Sequence, residues 1–291
     1  MQDNSLPWEL ARLVFVFYPA ICLALFLAQR WMMYPASTGP ITLSESEASI
    51  ATPVTVTSDG QQLVGYFTPP DSADKPILLL SHGNGGNARG RLFKSSLFKD
   101  RRGWGTLIIG YRGYGQNPGK PTEEGLISDA LAFRSWLVEN HQQNPIVYYG
   151  ESLGTGIAVA MATEHAIPQQ RLLVLEAAYS STLDVARKTY FWLPLRMLML
   201  DQYRSDTRIA GLNIPLVMIH GEQDGVIAND LGKKLFRLAP VSDKRFLSIN
   251  GAGHNDLYSS GKTVNALLDA MDNALTNTSG EAEPAADGQQ D

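Results

Sequence analysis

Short, mostly apolar runs recur between residues 77 and 249, and stretches with helical spacing separate them. Runs this short are typical of parallel strands that are buried on both faces. Between the second and third runs, apolar residues at three- and four-residue spacing predict a helix over 123–140, which Thr122 can cap. The pattern therefore predicts a doubly wound, mostly parallel α/β sheet. The six apolar runs are 77–80, 106–109, 146–149, 172–175, 216–219 and 246–249.

Two segments depart from this alternation. Residues 51–70 alternate apolar and polar positions around Ser58-Asp59-Gly60, which predicts an antiparallel pair of strands at the start of the sheet. Residues 180–211 are rich in aromatic residues, leucine and methionine, and we expect a short helical cap inserted between two strands. Two interpretations of its residues 190–200 are equally favoured, an apolar acyl pocket or a surface that packs on the sheet or on a bilayer.

The first 34 residues form a third distinct segment. No charged or strongly polar side chain occurs over 13–28, and Arg12 and Arg30 bracket this run. Its length lies at the short end of a membrane span, and arginine and aromatic side chains suit the interfaces. We expect residues 1–34 to be a single N-terminal anchor that contacts the bilayer through residues 10–30, with no orientation implied by one arginine on each flank. The aromatic residues near its ends are Trp8, Trp31 and Tyr34.

A cleaved signal peptide and a buried core helix are the alternatives for this segment. Against a signal peptide, Asp3 and Glu9 offset Arg12, so the region before the run is not basic, and no A-x-A site follows it. A lipoprotein signal does not fit, because Cys22 lies in the middle of the run rather than at its end.

Charge and cysteine content narrow the range of functions. The 291-residue chain has 24 lysines and arginines against 29 aspartates and glutamates, a net charge of −5, so we predict no nucleic-acid partner. Cys22 is the single cysteine, which excludes a disulfide within the chain and a cysteine-based metal site. We place a linker at 35–49, the main domain at 50–276 and a disordered acidic tail at 277–291.

The sequence Gly150-Glu151-Ser152-Leu153-Gly154 directly follows the third apolar run and opens a helical stretch. This strand–turn–helix setting is the one in which G-x-S-x-G forms a nucleophile elbow. The turn holds the serine in a strained conformation and leaves room only for small residues on both sides. We therefore predict that Ser152 is a nucleophile; an ordinary tight turn is the alternative.

A serine nucleophile needs a base and an acid that orients it. In this type of site the chain order is serine, acid, histidine, and His254 in a glycine-rich loop after the last strand satisfies it. We predict Asp224 as the acid, on a turn after the fifth strand, with Glu176 at the end of the fourth strand as the alternative. The other histidines are expected to be structural or to precede the serine; they are His82, His141, His165 and His220.

An oxyanion hole needs two backbone N–H groups. We predict the N–H groups of Leu153, after the nucleophile, and of Asn84, in the glycine-rich loop over 81–87. The stretch 83–88 also fits the dinucleotide pattern G-x-G-x-x-A, but no carboxylate ends the next strand to hold a ribose. We predict no cofactor and no metal.

Five motifs taken together are more specific than any one of them, and they resemble those of the Bem46-like serine hydrolases of ABHD13 and ABHD17 type. The resemblance extends from about residue 32 to the last helix, and it implies the α/β-hydrolase fold with Ser152, Asp224 and His254 as the triad. The motifs are His82-Gly83-Asn84-Gly85-Gly86-Asn87, Tyr111-Arg112-Gly113-Tyr114-Gly115, Gly150-Glu151-Ser152-Leu153-Gly154, His220-Gly221-Glu222-Gln223-Asp224 and Gly251-Ala252-Gly253-His254-Asn255-Asp256.

Members similar to this chain often carry one N-terminal anchor, and the family's activities include ester hydrolysis. One animal branch removes palmitoyl groups from proteins and has a cysteine-rich, lipidated N-terminus; with only Cys22, this chain does not share that feature. Its short loops are typical of bacterial relatives, so we expect a bacterial inner-membrane protein.

The resulting hypothesis is a membrane-anchored serine hydrolase that cleaves carboxylic ester or thioester bonds through an acyl-enzyme. The alternative is a membrane-tethered binding or scaffold protein that keeps the fold without the chemistry. The presence of all three triad residue types in order favours the enzyme.

Overall fold

All six predicted parallel strands occur in one eight-stranded sheet. The computed structural model describes Trp8, residues 12–164 and residues 166–280. The strands are β1 (Thr52–Ser58), β2 (Gln61–Thr68), β3 (Ile77–Ser81), β4 (Gly105–Ile108), β5 (Ile146–Glu151), β6 (Gln170–Glu176), β7 (Leu216–Gly221) and β8 (Lys244–Ile249). Their order across the described part of the chain is β1-β2-β4-β3-β5-β6-β7-β8. β2 is antiparallel to both β1 and β4, and the remaining neighbours are parallel. The prediction of a parallel sheet with an antiparallel start is confirmed.

Helices cover both faces of the sheet. They are α1 (Tyr18–Met33), α2 (Glu45–Ile50), α3 (Leu92–Arg102), α4 (Glu123–Asn140), α5 (Gly154–Glu164), α6 (Thr182–Thr189), α7 (Leu195–Leu198), α8 (Ser205–Arg208), α9 (Asn229–Leu238) and α10 (Gly261–Gly280). The predicted cap at Thr122 is confirmed, since its hydroxyl accepts a hydrogen bond from the N–H of Gly125 at 3.0 Å. Three short helices, α6 to α8, lie between β6 and β7, where the cap is predicted.

Each central strand places alternate side chains in two apolar clusters, one on each face of the sheet. In β5, Tyr148 belongs to one cluster, and Val147 and Tyr149 belong to the other. In β3, Leu79 belongs to the same cluster as Tyr148, and Leu80 belongs to the other. A strand buried on both faces has no polar alternation, and this explains why the apolar runs identify these strands in the sequence.

The segment 35–49, predicted as a linker, is attached to the domain. Isolated bridges join Ala36 to Gly86 and Thr38 to Gly115, and α2 begins inside the segment. Ser44 and Glu47 form a capping box at the start of α2, which is the S-x-x-E signal that identifies such a helix start in a sequence.

The last helix crosses the C-terminal boundary predicted for the domain. α10 continues to Gly280, four residues beyond the predicted end of the domain at 276. The rest of the predicted disordered tail, 281–291, lies outside the described residues, as do His165 and residues 1–7 and 9–11 of the predicted anchor.

The apolar N-terminal segment is helical and lies against the cap. A π-helical stretch (Leu13–Phe17) leads into α1, and Val14–Met33 is the one helix of the described chain that is long and apolar enough to cross a membrane. Arg30 Nε donates to an Asp201 carboxylate oxygen at 2.9 Å, and Gln29 Nε2 donates to the Leu198 carbonyl at 3.1 Å. Long-range contacts therefore fix the position of this helix on the domain.

Candidate active site

The turn after β5 has the geometry of a nucleophile elbow. Ser152 has a positive φ of 50°, a strained region for a residue with a side chain. A Cβ on Gly150 would lie 2.6 Å from the Cα of Thr155, and one on Gly154 would collide with the carbonyl oxygen of Ser81. Glycine is therefore required on both sides of the serine, and α5 begins directly beyond the turn.

Ser152, His254 and Asp224 lie in one chain of contacts. His254 Nε2 is 3.0 Å from Ser152 Oγ, and His254 Nδ1 is 2.7 Å from Asp224 Oδ2. Both distances lie within hydrogen-bonding range, and the imidazole joins the hydroxyl to the carboxylate. The three residues come from the ends of β5, β7 and β8, which meet at the carboxyl edge of the sheet.

The carboxylate of Asp224 is buried and accepts several hydrogen bonds. Its Oδ1 accepts the N–H groups of Val226 and Ile227, both at 2.8 Å. Burial raises the pKa of Asp224, but hydrogen bonds from His220, His254 and the Ile227 N–H outweigh it and hold the pKa well below its usual value. Asp224 is therefore ionised and able to fix the orientation of an imidazole.

His220 also contacts this carboxylate, which the sequence does not indicate. Its Nε2 is 3.2 Å from Asp224 Oδ2 and 2.9 Å from the carbonyl of Ile227. The ring is fully buried. The sequence signal that could have revealed the contact is the spacing of four residues between His220 at the end of a strand and Asp224 on the turn after it.

Two backbone N–H groups beside the serine have no acceptor in the described part of the chain. They belong to Asn84 and Leu153, and both residues border the same cavity as Ser152. The Asn84 carbonyl accepts the hydroxyl of Tyr114 at 2.9 Å, and its side chain donates to the carbonyl of Met33 at 3.0 Å. The glycine-rich loop is thus held in place from two sides.

A cavity of about 320 Å³ opens in front of Ser152. Apolar side chains from three elements form most of its wall, namely α1, the cap between β6 and β7, and the turn that carries Ile227. Such a volume is at the lower end of the range for ligand pockets. Lining residues include Phe26, Met33, Val185, Leu193, Leu198 and Ile227.

A buried ionic cluster lies behind the elbow. Lys94 Nζ contacts a carboxylate oxygen of Glu151 at 2.8 Å and one of Glu176 at 2.6 Å, and Arg91 binds the other oxygen of Glu151. The hydroxyl of Tyr258 donates to Glu176 at 3.2 Å. Burial lowers the pKa of Lys94, but the two carboxylates raise it by more, so the ammonium group stays charged.

This cluster accounts for Glu176, the alternative acid. Its carboxylate binds Lys94 and tyrosines, and it has no hydrogen bond to His254 within the described chain. Its backbone carbonyl accepts the N–H of Ser152 at 2.9 Å. Glu176 therefore supports the elbow, and Asp224 is the carboxylate next to the imidazole.

His82 is buried beside the site without joining it. Its Nδ1 is 2.7 Å from the carbonyl of Gly83, and its ring packs against Tyr111 with centroids 4.1 Å apart. Burial lowers the pKa of His82 to about 4, so the ring is neutral at pH 7. Among the described residues, no cluster of three histidine, cysteine, aspartate or glutamate side chains has the arrangement of a metal site.

Comparison with known proteins identifies the class that this fold and site define. The model of the α/β-hydrolase fold family matches residues 76–207. An uncharacterized protein of Mycobacterium tuberculosis is 37% identical over 256 residues, which cover 86% of this chain and 88% of that protein. Lysophosphatidylserine lipase ABHD12 of Danio rerio is 31% identical over 237 residues, which cover 71% of this chain and 60% of that protein.

Solved structures agree with this match at the level of the fold. An esterase of Pyrococcus furiosus superposes with a TM-score of 0.66 at 17% identity and covers 84% of this chain and 98% of that one. A serine hydrolase homologue from Coxiella burnetii gives a TM-score of 0.56 at 17% identity, and the match covers 80% of this chain and 99% of that one. The chain belongs to the α/β-hydrolase fold family. It is a serine hydrolase of that family.

Proposed function

We propose that the protein is a membrane-bound serine hydrolase that cleaves carboxylic ester or thioester bonds through an acyl-enzyme, with Ser152, His254 and Asp224 as its triad. The observation that carries this proposal is the continuous contact from Ser152 Oγ through the imidazole of His254 to Asp224. It lies at the mouth of an apolar cavity, where an acyl chain would place its carbonyl beside the hydroxyl.

In this mechanism His254 Nε2 takes the proton of Ser152 as Oγ attacks the carbonyl carbon. Asp224 holds the Nδ1–H and stabilises the imidazolium that forms. The protonated Nε2 then gives its proton to the departing alcohol or thiol, which leaves an acyl group on Oγ. A water molecule, deprotonated by the same nitrogen, then attacks the acyl carbonyl. The bond between Oγ and the acyl carbon breaks, the carboxylic acid leaves, and Nε2 returns the proton to Oγ.

Charge on the carbonyl oxygen is stabilised by the N–H groups of Asn84 and Leu153. Both groups border the cavity beside Ser152 and have no acceptor among the described residues, so an oxyanion can take them without breaking a bond in the protein. A preorganised donor of this kind lowers the barrier by about 2.7–4 kcal/mol.

The substrate class follows from the wall of the cavity. Apolar side chains of α1 and the cap suit the hydrocarbon chain of an acyl ester, and they offer a charged acyl chain no partner. A relative is named lysophosphatidylserine lipase, which supports a lipid ester. The five motifs support placing the chain in the Bem46-like group.

Membrane attachment is the second part of the proposal. Val14–Met33 has a mean hydropathy of 1.6, and only 6% of its most apolar window is buried in the domain. A soluble protein rarely leaves an apolar helix so exposed. The bilayer is therefore the proposed environment of residues 10–30, in the inner membrane of a bacterium.

The direct test is labelling by a fluorophosphonate probe, which reacts with an activated serine. We expect the purified full-length protein to be labelled and its Ser152→Ala variant to be unlabelled, with equal folding of the two checked by circular dichroism. A labelled wild type would then be assayed on esters and thioesters of increasing acyl length. If the folded wild type is not labelled, the triad is inactive and the non-enzymatic scaffold on the same fold becomes the better hypothesis.

A further inference from the structure

The N-terminal helix runs along the cap for most of its length. Near its start, the hydroxyl of Tyr18 donates to the Trp192 carbonyl at 3.0 Å. In its middle, Cys22 is buried in an apolar cluster with cap leucines. Near its end, Arg30 pairs with Asp201. The helix and the cap therefore form one unit.

The length of this contact is incompatible with an upright span. Tyr18 and Arg30 are twelve residues apart, or about 18 Å along the helix axis, whereas the hydrocarbon core of a bilayer is about 30 Å thick. A helix standing along the membrane normal would carry the cap more than halfway into the core. The exposed charges of Arg187 and Arg196 and irregular cap backbone would enter hydrocarbon with it, which is highly unfavourable.

The outer faces of the helix and the cap both expose large apolar side chains. On α1, Leu23, Leu27 and Trp31 recur every four residues and are 58%, 73% and 82% exposed. On the cap, Phe191 and Met197 are 81% and 85% exposed. The two faces adjoin, because Trp192 contacts α1 at one end and Leu200 donates its N–H to Gln29 at the other.

The cavity reaches the surface beside this face. Its wall includes Met32 of α1 and Val226, which are 44% and 61% exposed, and its inner end includes Ser152. Leu25 and Phe26 of α1 also line the cavity, and both are less exposed than Leu27 on the outer face. Material that contacts the outer face of α1 is therefore close to the entrance of the site.

We propose that α1 and the cap insert together into one leaflet of a bilayer, with α1 nearer to the membrane plane than to its normal, and that acyl chains enter the cavity from that leaflet. The occupant of the exposed face is lipid hydrocarbon. This proposal deepens the proposed function, on which it rests for the identity of the substrate. It replaces the single-pass span predicted from the sequence by a helix that is both anchor and wall of the site.

A depth measurement tests the insertion without requiring catalysis. In a Cys22→Ser background of the full-length chain, Leu27→Cys, Met197→Cys and the control Leu238→Cys are each labelled with the environment-sensitive fluorophore NBD. Leu238 is an exposed apolar residue at the end of α9, beyond Asp230 and Lys234, whose side chains bind Lys188 and Asp184 of the cap. The proteins are reconstituted in vesicles of phosphatidylcholine and phosphatidylglycerol.

Nitroxide-labelled lipids should quench the label at 27 and at 197 to a similar extent, and iodide in the water should quench only the label at 238. Lipid quenching at 27 together with iodide quenching at 197 would overturn the proposal in favour of an upright span. Protection from both quenchers at 197 would also overturn it, because a second copy of the chain would then cover the cap.

A kinetic measurement tests the route of entry. The double variant Phe191→Asp with Met197→Asp should hydrolyse a long-chain ester carried in vesicles at least ten-fold more slowly than the wild type. Its rate on soluble p-nitrophenyl acetate should be unchanged. The control Leu238→Asp should hydrolyse both esters at the wild-type rate. An equal loss of rate on both esters would contradict the proposal that acyl chains enter from the leaflet. A wild type that is inactive on every ester would instead refute the proposed function and leave the depth result standing.

Discussion

At the scale of single residues, the carboxylate of Asp224 is shared by two imidazoles. His254 binds Oδ2 from the side of the serine, and His220 approaches the same oxygen from the strand at 3.2 Å. The second contact is made by a buried ring that does not line the cavity. We therefore propose that His220 is a positioning residue, which acts on the reaction only through the proposed acid, Asp224.

Substituting His220 should lower turnover without weakening substrate binding. A full hydrogen bond to a charged group is worth about 1.5–3 kcal/mol, and His220 Nε2 divides its N–H between Asp224 and the Ile227 carbonyl. The lower end of that range applies, so kcat of His220→Phe should fall by roughly ten-fold, with KM unchanged. His220→Gln keeps an N–H donor and should recover much of the loss. His141→Asn, at the end of α4, should behave as the wild type in the same ester assay. Wild-type kcat in a folded His220→Phe variant would contradict this role.

His82 should make stability depend on pH. Because its folded pKa is about 4 and its unfolded value about 6.5, the unfolded chain binds a proton between these values and the folded protein does not. The free energy of unfolding therefore falls as pH drops from 6.5 to 4, by about 3 kcal/mol from this group. Urea unfolding in detergent, compared with His82→Phe, should show the wild type losing this much more stability between pH 7 and pH 4. Parallel curves for the two proteins would contradict the prediction.

The sequence predicts the residues of the proposed triad better than the residues that contact them. Ser152, Asp224 and His254 can be predicted because the elbow motif and the order of the triad are local or topological signals. All three come together in the structure, as do Asn84 and Leu153 beside the cavity. The support from His220 depends on the path of a turn, which no pattern of residue types fixes.

At the scale of elements, the ionic cluster connects one helix to three parts of the site. Lys94 of α3 binds Glu151 beside the nucleophile and Glu176 on the next strand, and Tyr258 belongs to the loop that carries His254. The cluster holds two cations and two carboxylates, so its formal charges balance. Removing a single member leaves a buried charge without its partner.

Lys94→Met should therefore destabilise the protein strongly. Breaking a buried ion pair by removal of one partner costs about 3–5 kcal/mol, and Lys94 is 1% exposed. Lys99→Met on the same helix removes an exposed pair with Asp71 and should cost no more than about 1 kcal/mol. Chemical unfolding in detergent measures the loss of stability in each variant. A cost for Lys94→Met no larger than that for Lys99→Met would mean that the cluster adds nothing to stability.

Burial on both faces makes β3 to β7 visible in the sequence as apolar runs. β8 lies at the edge of the sheet and is half-buried, but it carries a similar run. The six parallel strands are short apolar runs, and the structure confirms each of them. α2 was missed inside the predicted linker, although its capping box is visible in the sequence as Ser44 and Glu47. The cluster could not be predicted, because the carboxylates that bind Lys94 lie 57 and 82 residues further along the chain.

At the scale of the whole molecule, α1 has two apolar sides with different surroundings. Phe26 faces the cavity, and Leu27, the next residue, is 73% exposed on the outer face. The apolar composition of the segment predicts a helix that avoids water. It does not predict that one side of the helix completes the site, because its partners in the cap are about 170 residues away in the chain.

Phe26→Ala should change the choice of acyl chain. Truncation enlarges the cavity on the side of α1, so the ratio of kcat/KM for a long p-nitrophenyl ester to that for the acetate should rise by about ten-fold. Leu27→Ala removes similar apolar bulk from the outer face and should leave the ratio unchanged. Equal ratios in Phe26→Ala and the wild type would show that α1 does not limit the acyl chain.

The buried position of Cys22 makes its thiol a natural probe of the contact between α1 and the cap. It is the chain's only thiol, it is 8% exposed, and it lies between α1 and the cap leucines. A maleimide can reach the sulfur of Cys22 only when the helix separates from the cap. The rate of alkylation therefore measures how often α1 and the cap separate. Detergent, vesicles and a bound acyl chain should each shift that rate, and the wild-type protein can thus report the dynamics of its own entrance without an added label.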